Sequence, residues 1–229
     1  MANSASYYSP VSLLSSLGII KGYEDGTFGP DRDVTRAEFS VMLMRAMSLS
    51  GVASNDMNGM PFKDVESVVS WAGGDIKTAY SMGIINGMDE TTFAPNEQVT
   101  YEQALKMVVC ALGYYPVALQ AVNGDASKIW PNGYISVATQ LKLNSGLGGS
   151  GDNPAKRWEI AKIIYNALEI ELLEEIKANT GVAGYRKTDR NLLKDYLNVS
   201  YSTGEILSDE NTTIYSTRTS RPGEALIDD

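Results

Sequence analysis

The sequence predicts a mainly α-helical protein built from three helix-loop-helix repeats, with a short β-rich segment towards its C-terminal end. The first observation is an internal repeat: residues 18–30 read Gly-Ile-Ile-Lys-Gly-Tyr-Glu-Asp-Gly-Thr-Phe-Gly-Pro, and residues 83–95 repeat this pattern 65 positions later. A more divergent third copy follows 59 positions after the second, so that Trp130 matches Trp71. The β-rich segment is predicted because residues 198–220 are dense in Thr, Ser, Tyr, Val and Ile. Repeats of this size bury their apolar faces by packing against one another.

Charge and composition exclude several classes of protein. The 229 residues carry 19 Lys and Arg against 28 Asp and Glu, a net charge of −9, which argues against a surface that wraps a nucleic acid. The absence of histidine excludes His-dependent triads and His-containing zinc sites, and the single cysteine, Cys110, excludes an internal disulfide framework. No stretch approaches the roughly 18 apolar residues of a membrane-spanning helix. We therefore expect no nucleic-acid partner, no metal, no cofactor and no membrane span.

Each repeat is expected to contain two helices joined by a loop of turn-forming residues. The first helix stops at Gly18 or Gly83, because glycine takes up the left-handed conformation of a helix C-cap. The second helix opens at Thr35 in the first copy and carries apolar residues at the i, i+3, i+4 and i+7 spacing of one helical face. In the third copy we expect this helix to continue to Ile176.

Linkers rich in small and polar residues divide the chain. They place the three repeats at about 7–50, 61–119 and 128–177, within a region that covers residues 1–178. Residues 179–229 form the partial β-rich segment, in which Asp209-Glu210-Asn211 is typical of a turn between two short strands. Two strands are not a stable fold alone, so we expect this segment to pack irregularly, as the start of a downstream domain that is cut off.

Two motifs carry a family resemblance. One is the run at residues 18–30 followed by Val34-Thr35-Arg36-Ala37-Glu38, and the other is Phe62-Lys63-Asp64-Val65 followed by Trp71-Ala72. In these motifs the chain resembles the S-layer homology family, as three tandem copies over about residues 7–177. The resemblance implies a three-pronged, pseudo-threefold arrangement on the bacterial cell wall. It also implies a non-catalytic extracellular anchor that binds secondary cell-wall polysaccharide, often pyruvylated, in grooves between repeats, and self-association in an S-layer.

The resemblance extends to one type of site residue, the arginine of Thr-Arg-Ala-Glu, which is a typical ligand contact of the family. In this chain it is Arg36, and the third copy keeps it as Arg157, with Lys156 in place of the threonine and a shortened loop. The second copy has Tyr101 at this position. We therefore expect most of the affinity at the first copy, where the arginine and the full loop are both present.

Part of the Thr-Arg-Ala-Glu motif is explained by helix capping alone. The Thr35 hydroxyl can accept from the third helical amide while Glu38 accepts from the Thr35 amide, which is a capping box. Thr100 and Gln103 preserve this pair in the second copy. The third copy keeps Glu159, and we expect its cap to be Asn153.

Arg36 is left unexplained by capping. An arginine in the first turn meets the positive end of the helix dipole, which costs about 0.3 to 1 kcal/mol at an exposed site. A bound carboxylate would offset this cost through a charge-assisted pair. The alternative is a solvated arginine, or one paired with Glu24 or Asp25.

The candidate ligand contacts come from all three copies and comprise Arg36, Arg157, Lys156, Lys21, Gly22, Tyr23, Asp25, Trp71 and Trp130. Glycine in the first loop would let a sugar approach the backbone, and a tyrosine ring could stack on the face of the sugar. Packing within the loop explains Tyr23 equally well. The two tryptophans are explained either by packing between repeats, which we favour, or by sugar stacking.

Two other classes of function compete with a wall anchor. A glycosidase would need a pair of carboxylates across a sugar cleft, and the candidates Glu171, Glu174 and Glu175 are expected to lie on the solvated, charged side of a helix. A helical peptide-binding scaffold would need an apolar groove rather than arginines at helix starts. The chain can also be the anchor portion of a larger cell-surface glycoside hydrolase.

Overall fold

The computed structural model describes residues 7–54, 57–178, 181–200, 205–208 and 226–228. The helices are α1 (Tyr8–Ser16), α2 (Arg36–Ala46), α3 (Val69–Ser81), α4 (Tyr101–Ala111), α5 (Tyr115–Gln120), α6 (Tyr134–Gln140) and α7 (Arg157–Ala167). The strands are β1 (Leu173–Ala178), β2 (Gly181–Lys187), β3 (Glu205–Ser208) and β4 (Leu226–Asp228). The protein is mainly helical with short β-hairpins towards its C-terminal end, as the sequence predicts.

The repeats close into a ring. Their second helices, α2, α4 and α7, contact one another at the centre. Their first helices pack outside in cyclic order, α3 against α2, α6 against α4, and α1 against α7. Because α1 and α7 lie at opposite ends of the repeat region, this arrangement has approximate threefold symmetry and is not a linear stack.

Backbone hydrogen bonds join the repeats where the second helices begin. In each of these helices the first amide donates to a carbonyl in the loop of the next repeat around the ring. The three bonds are Arg36 N to Glu97 O (2.9 Å), Tyr101 N to Asn153 O (2.9 Å) and Arg157 N to Arg32 O (2.8 Å). Single-residue β-bridges lie beside them, between Asp33 and Lys156, Thr35 and Gln98, and Thr100 and Pro154. Each repeat therefore satisfies an amide that an isolated helix would leave unpaired.

The predicted capping boxes are present in two copies. Thr35 Oγ1 accepts from Glu38 N at 3.2 Å, and Glu38 Oε2 accepts from Thr35 N at 2.8 Å. Thr100 and Gln103 form the same pair of bonds, at 3.2 and 3.3 Å.

Helix α7 of the third copy has only one of the two hydrogen bonds of a capping box. Glu159 Oε2 accepts from Lys156 N at 2.9 Å, while a lysine side chain has no acceptor to offer in return. The expected cap at Asn153 is wrong, because α7 begins at Arg157 and the Asn153 carbonyl serves α4 of the neighbouring repeat.

The first helices end as predicted. Gly18 and Gly83 follow α1 and α3 with φ angles of +70° and +68°. At the matching position after α6, Lys142 takes a φ of +58°, a conformation that a residue with a Cβ adopts only at a steric cost. The third copy therefore has the same turn after its first helix but lacks the glycine that favours it.

The second helix of the third repeat is shorter than the sequence predicts. It ends at Ala167, and Leu173–Ala178 forms strand β1, paired antiparallel with β2. The strand is anchored by tertiary contacts, since Leu173 N donates to Leu112 O at 3.0 Å and the Tyr114 hydroxyl donates to Glu171 O at 2.9 Å. These contacts stabilise a strand at residues whose apolar spacing alone predicts a helix. The predicted boundary between residues 178 and 179 falls inside the hairpin.

The segment after the hairpin packs onto the repeats. Residues 192–196 form a π-helical turn in which Leu192 and Leu193 are buried. Leu193 N donates to Leu168 O at 2.9 Å, and Ser48 Oγ donates to Tyr196 O at 2.6 Å. The expectation of irregular packing from residue 179 onwards is therefore wrong for the described residues up to Leu197, where the first compact unit ends.

The second compact unit is Asn198–Asp229. Within it, β3 pairs with β4 in antiparallel register, Ile206 opposite Ile227. The predicted turn at Asp209-Glu210-Asn211 lies outside the described residues. None of the helices in the described ranges has the length and hydropathy needed to span a bilayer.

Candidate functional site

Arg157 lies between the third and the first repeat. It is only 4% exposed, and its Nη2 donates to Lys21 O at 2.6 Å. Its Cζ sits 4.7 Å from the centroid of the Tyr23 ring and 5.3 Å from that of Phe28. Arg157 Nε is buried without a hydrogen-bond partner. A buried donor in this state costs free energy unless a further acceptor reaches it.

Arg157, Lys21 and Tyr23 help to line a cavity of about 190 Å³, here called the Arg157 groove. Its walls come from all three repeats and consist of Lys21, Gly22, Tyr23, Glu38, Val41, Met42, Arg45, Trp71 and Arg157. Trp71 keeps 48% of its surface exposed, so packing between repeats accounts for only part of its ring. The groove thus offers an indole face, an aromatic loop and a buried guanidinium side by side.

Arg36 occupies the equivalent place between the first and second repeats. It is 6% exposed, and its guanidinium lies 4.8 Å from the centroid of the Phe93 ring. Its nitrogens donate to three uncharged acceptors, Phe93 O at 2.8 Å, Asn86 O at 3.0 Å and Gln103 Oε1 at 3.2 Å. Burial lowers the pKa of this guanidinium, and Asp64 acts in the opposite direction.

The cavity beside Arg36 has a volume of about 370 Å³ and is here called the Arg36 groove. It is lined by Arg36, Ile85, Asn86, Gly87, Met88, Gln103, Lys106, Met107, Trp130 and Tyr134. Trp130 remains 45% exposed, and Trp71 is about equally exposed in the other groove. The matching tryptophans therefore hold matching positions in two grooves.

In the structure, the arginines contact loops of other repeats and not the loops that precede them in the sequence. Each arginine faces the loop of the next repeat around the ring, so Arg36 meets Asn86 and Arg157 meets Lys21. The full first loop, with Gly22 and Tyr23, therefore belongs to the Arg157 groove. The expectation that Arg36 shares a site with its own loop is wrong, because ring closure rather than sequence proximity brings these groups together.

The alternative environment predicted for Arg36 is wrong, because its side chain is buried and donates to uncharged acceptors instead of being solvated or paired with Glu24 or Asp25. The first amide of α2 donates to Glu97 O and the second, Ala37 N, to Pro95 O, so these amides are not free to bind a carboxylate. Asp25 does not pair with Arg36 but accepts from the amide and hydroxyl of Thr27, at 2.9 and 2.7 Å. These bonds lower the pKa of Asp25. Asp25 therefore organises its own loop.

Lys156 has a structural contact rather than a place in either groove. Its Nζ forms an ion pair of 2.7 Å with Asp33 Oδ1, beside the β-bridge that joins the third repeat to the first. This hydrogen bond raises the pKa of Lys156. The residue thus helps to close the ring.

Tyr101 fills the position that the arginines hold elsewhere. Its ring is buried and packs over the backbone of Gly149, where an added Cβ would collide with it. Burial, and after it the charge of Glu159, raises the pKa of Tyr101 to about 12. This side chain supplies no cation and occupies the space itself.

Lys106 is a groove residue that the sequence interpretation missed. It is 9% exposed, and its Nζ donates to Ile84 O at 2.9 Å. Burial lowers its pKa, with a smaller contribution from the charge of Arg36 and an opposing one from Cys110. The available signal was a lysine on the apolar face of α4, where the first copy has Val41.

The comparison with known families agrees with this geometry. The family model described as the S-layer homology domain matches residues 1–40 and 61–105. The chain belongs to the S-layer homology family. The matched residues lie in the first and second repeats. The divergent third copy, outside the matched residues, closes the ring of repeats in the structure.

The relatives of this S-layer homology chain include cell-wall and surface-layer proteins and an endoglucanase. It is 35% identical over 190 residues to the middle cell wall protein of Brevibacillus brevis, which covers 83% of this chain and 17% of that protein. It is 35% identical over 193 residues to the surface layer protein of Brevibacillus choshinensis, covering 83% of this chain and 16% of that one. An endoglucanase of a Bacillus species is 43% identical over 96 residues, which are 42% of this chain and 10% of the enzyme.

The chain spans about a sixth of the length of the first two relatives. The S-layer homology assignment places it among the S-layer and cell-surface proteins of the bacterial envelope and implies attachment to the cell wall. Within the described residues, no group of three or more Cys, Asp or Glu side chains is arranged to hold a metal ion.

Proposed function

We propose that this S-layer homology unit binds an anionic secondary cell-wall polysaccharide, of the pyruvylated kind, and so tethers a larger surface protein to the envelope without catalysing a reaction. The observation that carries the proposal is Arg157, a buried guanidinium whose Nε lacks a partner, beside the exposed ring of Trp71. An acidic group on a sugar would supply the missing acceptor as a charge-assisted hydrogen bond.

The charge of the protein suits a local site rather than a long-range attraction. With a net charge of −9, the chain as a whole repels a polyanion. The arginines of the two grooves lie in walls shared with tryptophan rings, where a sugar ring can stack while its acidic group meets the guanidinium. Recognition therefore depends on the grooves and not on the general surface.

Other functions have less support. Glu174, one of the carboxylates considered for a glycosidase, lies on β1 and pairs with Arg190 at 2.8 Å, and neither groove is lined by Glu171, Glu174 or Glu175. The endoglucanase relative supports a variant of the main proposal, in which this unit anchors a surface hydrolase. Assembly with other copies in an S-layer stays a prediction.

The proposal is tested by sedimentation with bacterial sacculi before and after the secondary polysaccharide is stripped. The purified protein should sediment with intact sacculi and stay in solution with stripped ones, and it should release no reducing ends. Trp71→Ala should weaken the binding, whereas Tyr8→Ala removes an aromatic ring that is 74% exposed outside both grooves and should not. Equal binding to both kinds of sacculi would exclude the polysaccharide as the ligand.

A further inference from the structure

Lys106 is a buried cation in the wall of the Arg36 groove. It lies on α4, with 9% of its surface exposed, and its ammonium donates to the uncharged Ile84 carbonyl. Within the described part of the chain, no carboxylate forms an ion pair with it. Removing an ammonium from water against a neutral acceptor costs free energy that a nearby anion would offset.

Arg36 adds a second buried cation to the same cavity. Its three acceptors are also uncharged, and no carboxylate is among the residues that line the groove. The acidic residue that influences it, Asp64, is engaged by Phe93 N and Ala94 N at 2.9 and 2.7 Å and does not line the cavity. The Arg157 groove differs, because the carboxylate of Glu38 is part of its wall.

The third copy provides an internal comparison. Lys162 of α7 stands at the position that matches Lys106. The repeat before α7 is the second one, whose helix α4 carries Tyr101 in place of the arginine. The Arg36 groove therefore combines the lysine with the arginine, and this combination is not repeated around the ring.

We propose that Lys106 makes the Arg36 groove selective for an acidic sugar unit, by holding its anionic substituent together with Arg36. The proposal rests on the proposed function, in that the ligand is a wall polysaccharide, and it assigns the charge selectivity of one groove to one residue. The substituent is a carboxylate or a phosphate, either of which two adjacent cations can bind.

The test compares two preparations of polysaccharide released from the sacculi of the source bacterium, one untreated and one with its carboxylates converted to neutral amides. Binding is measured by calorimetry in an Arg157→Ala background, which removes the guanidinium of the Arg157 groove. The protein should bind the untreated polymer at least about tenfold more tightly than the amidated one, as expected for loss of a charge-assisted hydrogen bond.

Lys106→Met should lose most of this difference by weakening the binding of the untreated polymer alone, and Lys106→Arg should restore it. Lys162→Met is the matched control and should keep the full difference. Discrimination retained by Lys106→Met, with an unchanged melting curve, would overturn the proposal.

The remaining outcomes separate the two proposals. Equal binding of both polymers that Lys106→Met weakens would identify phosphate as the anion. Equal binding that Lys106→Met leaves unchanged would overturn the role of Lys106 and leave wall-polysaccharide binding standing. Binding of neither polymer by the unsubstituted protein would contradict the proposed function itself.

Discussion

Arg157 Nη2 donates a hydrogen bond of 2.6 Å to the carbonyl of Lys21, 136 positions earlier in the chain. This bond joins the last repeat to the loop of the first, at the point where the ring of repeats closes. The Arg157 groove therefore exists only when all three repeats are folded together, and a fragment that contains one or two of them lacks it.

The two arginines should contribute separately to binding. Arg157→Ala and Arg36→Ala should each weaken the binding of wall polysaccharide at their own groove by roughly 10- to 150-fold, because each removes a charge-assisted hydrogen bond of about 1.5 to 3 kcal/mol. Calorimetric titration measures both. Arg186→Ala on β2 is the control, since it removes one positive charge from an exposed position. An equal loss in that control would mean that net charge, and not the grooves, governs binding.

Tyr101 should matter for stability and not for affinity. Tyr101→Ala removes a buried ring from the contact with Gly149 and should lower the free energy of unfolding by about 3 kcal/mol. Thermal melting measures this loss, and titration should show nearly unchanged affinity in protein that remains folded. Tyr101→Phe, which keeps the ring, should lose far less stability. A fall in affinity like that of Arg36→Ala would show that the site at Tyr101 also binds ligand.

The capping residues should behave in the same way on a smaller scale. Thr35→Ala and Thr100→Ala each remove the side-chain acceptor of a capping box and should cost about 1 kcal/mol of stability. Melting curves recorded with and without polysaccharide would separate this effect from binding. Ser12→Ala, at an exposed position within α1, should change neither quantity. Weakened binding in Thr35→Ala comparable to that in Arg36→Ala would assign the motif a direct role for its threonine.

The segment after the hairpin should stabilise the ring. Leu193→Ala should lower the free energy of unfolding by about 2 to 5 kcal/mol, because Leu193 is buried against the repeats. Val182→Ala, on the exposed face of β2, should change it by less than about 0.5 kcal/mol. Denaturant unfolding of both variants gives the comparison. Equal stability of the two would mean that residues up to Leu197 are an appendage and not part of the fold.

Lys106 should make the stability of the free protein depend on pH in the alkaline range. Burial lowers its pKa in the folded state, so between that pKa and the ordinary lysine value the unfolded chain binds a proton that the folded chain does not. Unfolding is therefore favoured as pH falls through this range, and stability rises as pH increases through it. The free energy of unfolding of the parent protein relative to Lys106→Met should rise with pH in denaturant titrations. A difference that stays constant with pH would mean that the lysine is not desolvated.

The local features of this protein follow from its sequence. The repeat, the helix stops at Gly18 and Gly83 and the capping boxes at Thr35 and Thr100 all depend on groups a few residues apart, and periodicity and turn chemistry report such groups directly. The candidate arginines come from the family motif that these local features belong to, and helix capping leaves Arg36 unexplained.

The composition of the grooves depends on contacts between distant parts of the chain. Sequence proximity pairs Arg36 with the loop before it, but closure of the ring places Arg157 against that loop and Arg36 against Asn86. The groove around Lys106 is completed by Arg36 of the first repeat and Trp130 of the third. The change from helix to strand at Leu173 likewise depends on Leu112 of the second repeat. Local pattern cannot reveal these neighbours, because each is brought into place only when the apolar faces of three repeats are buried together.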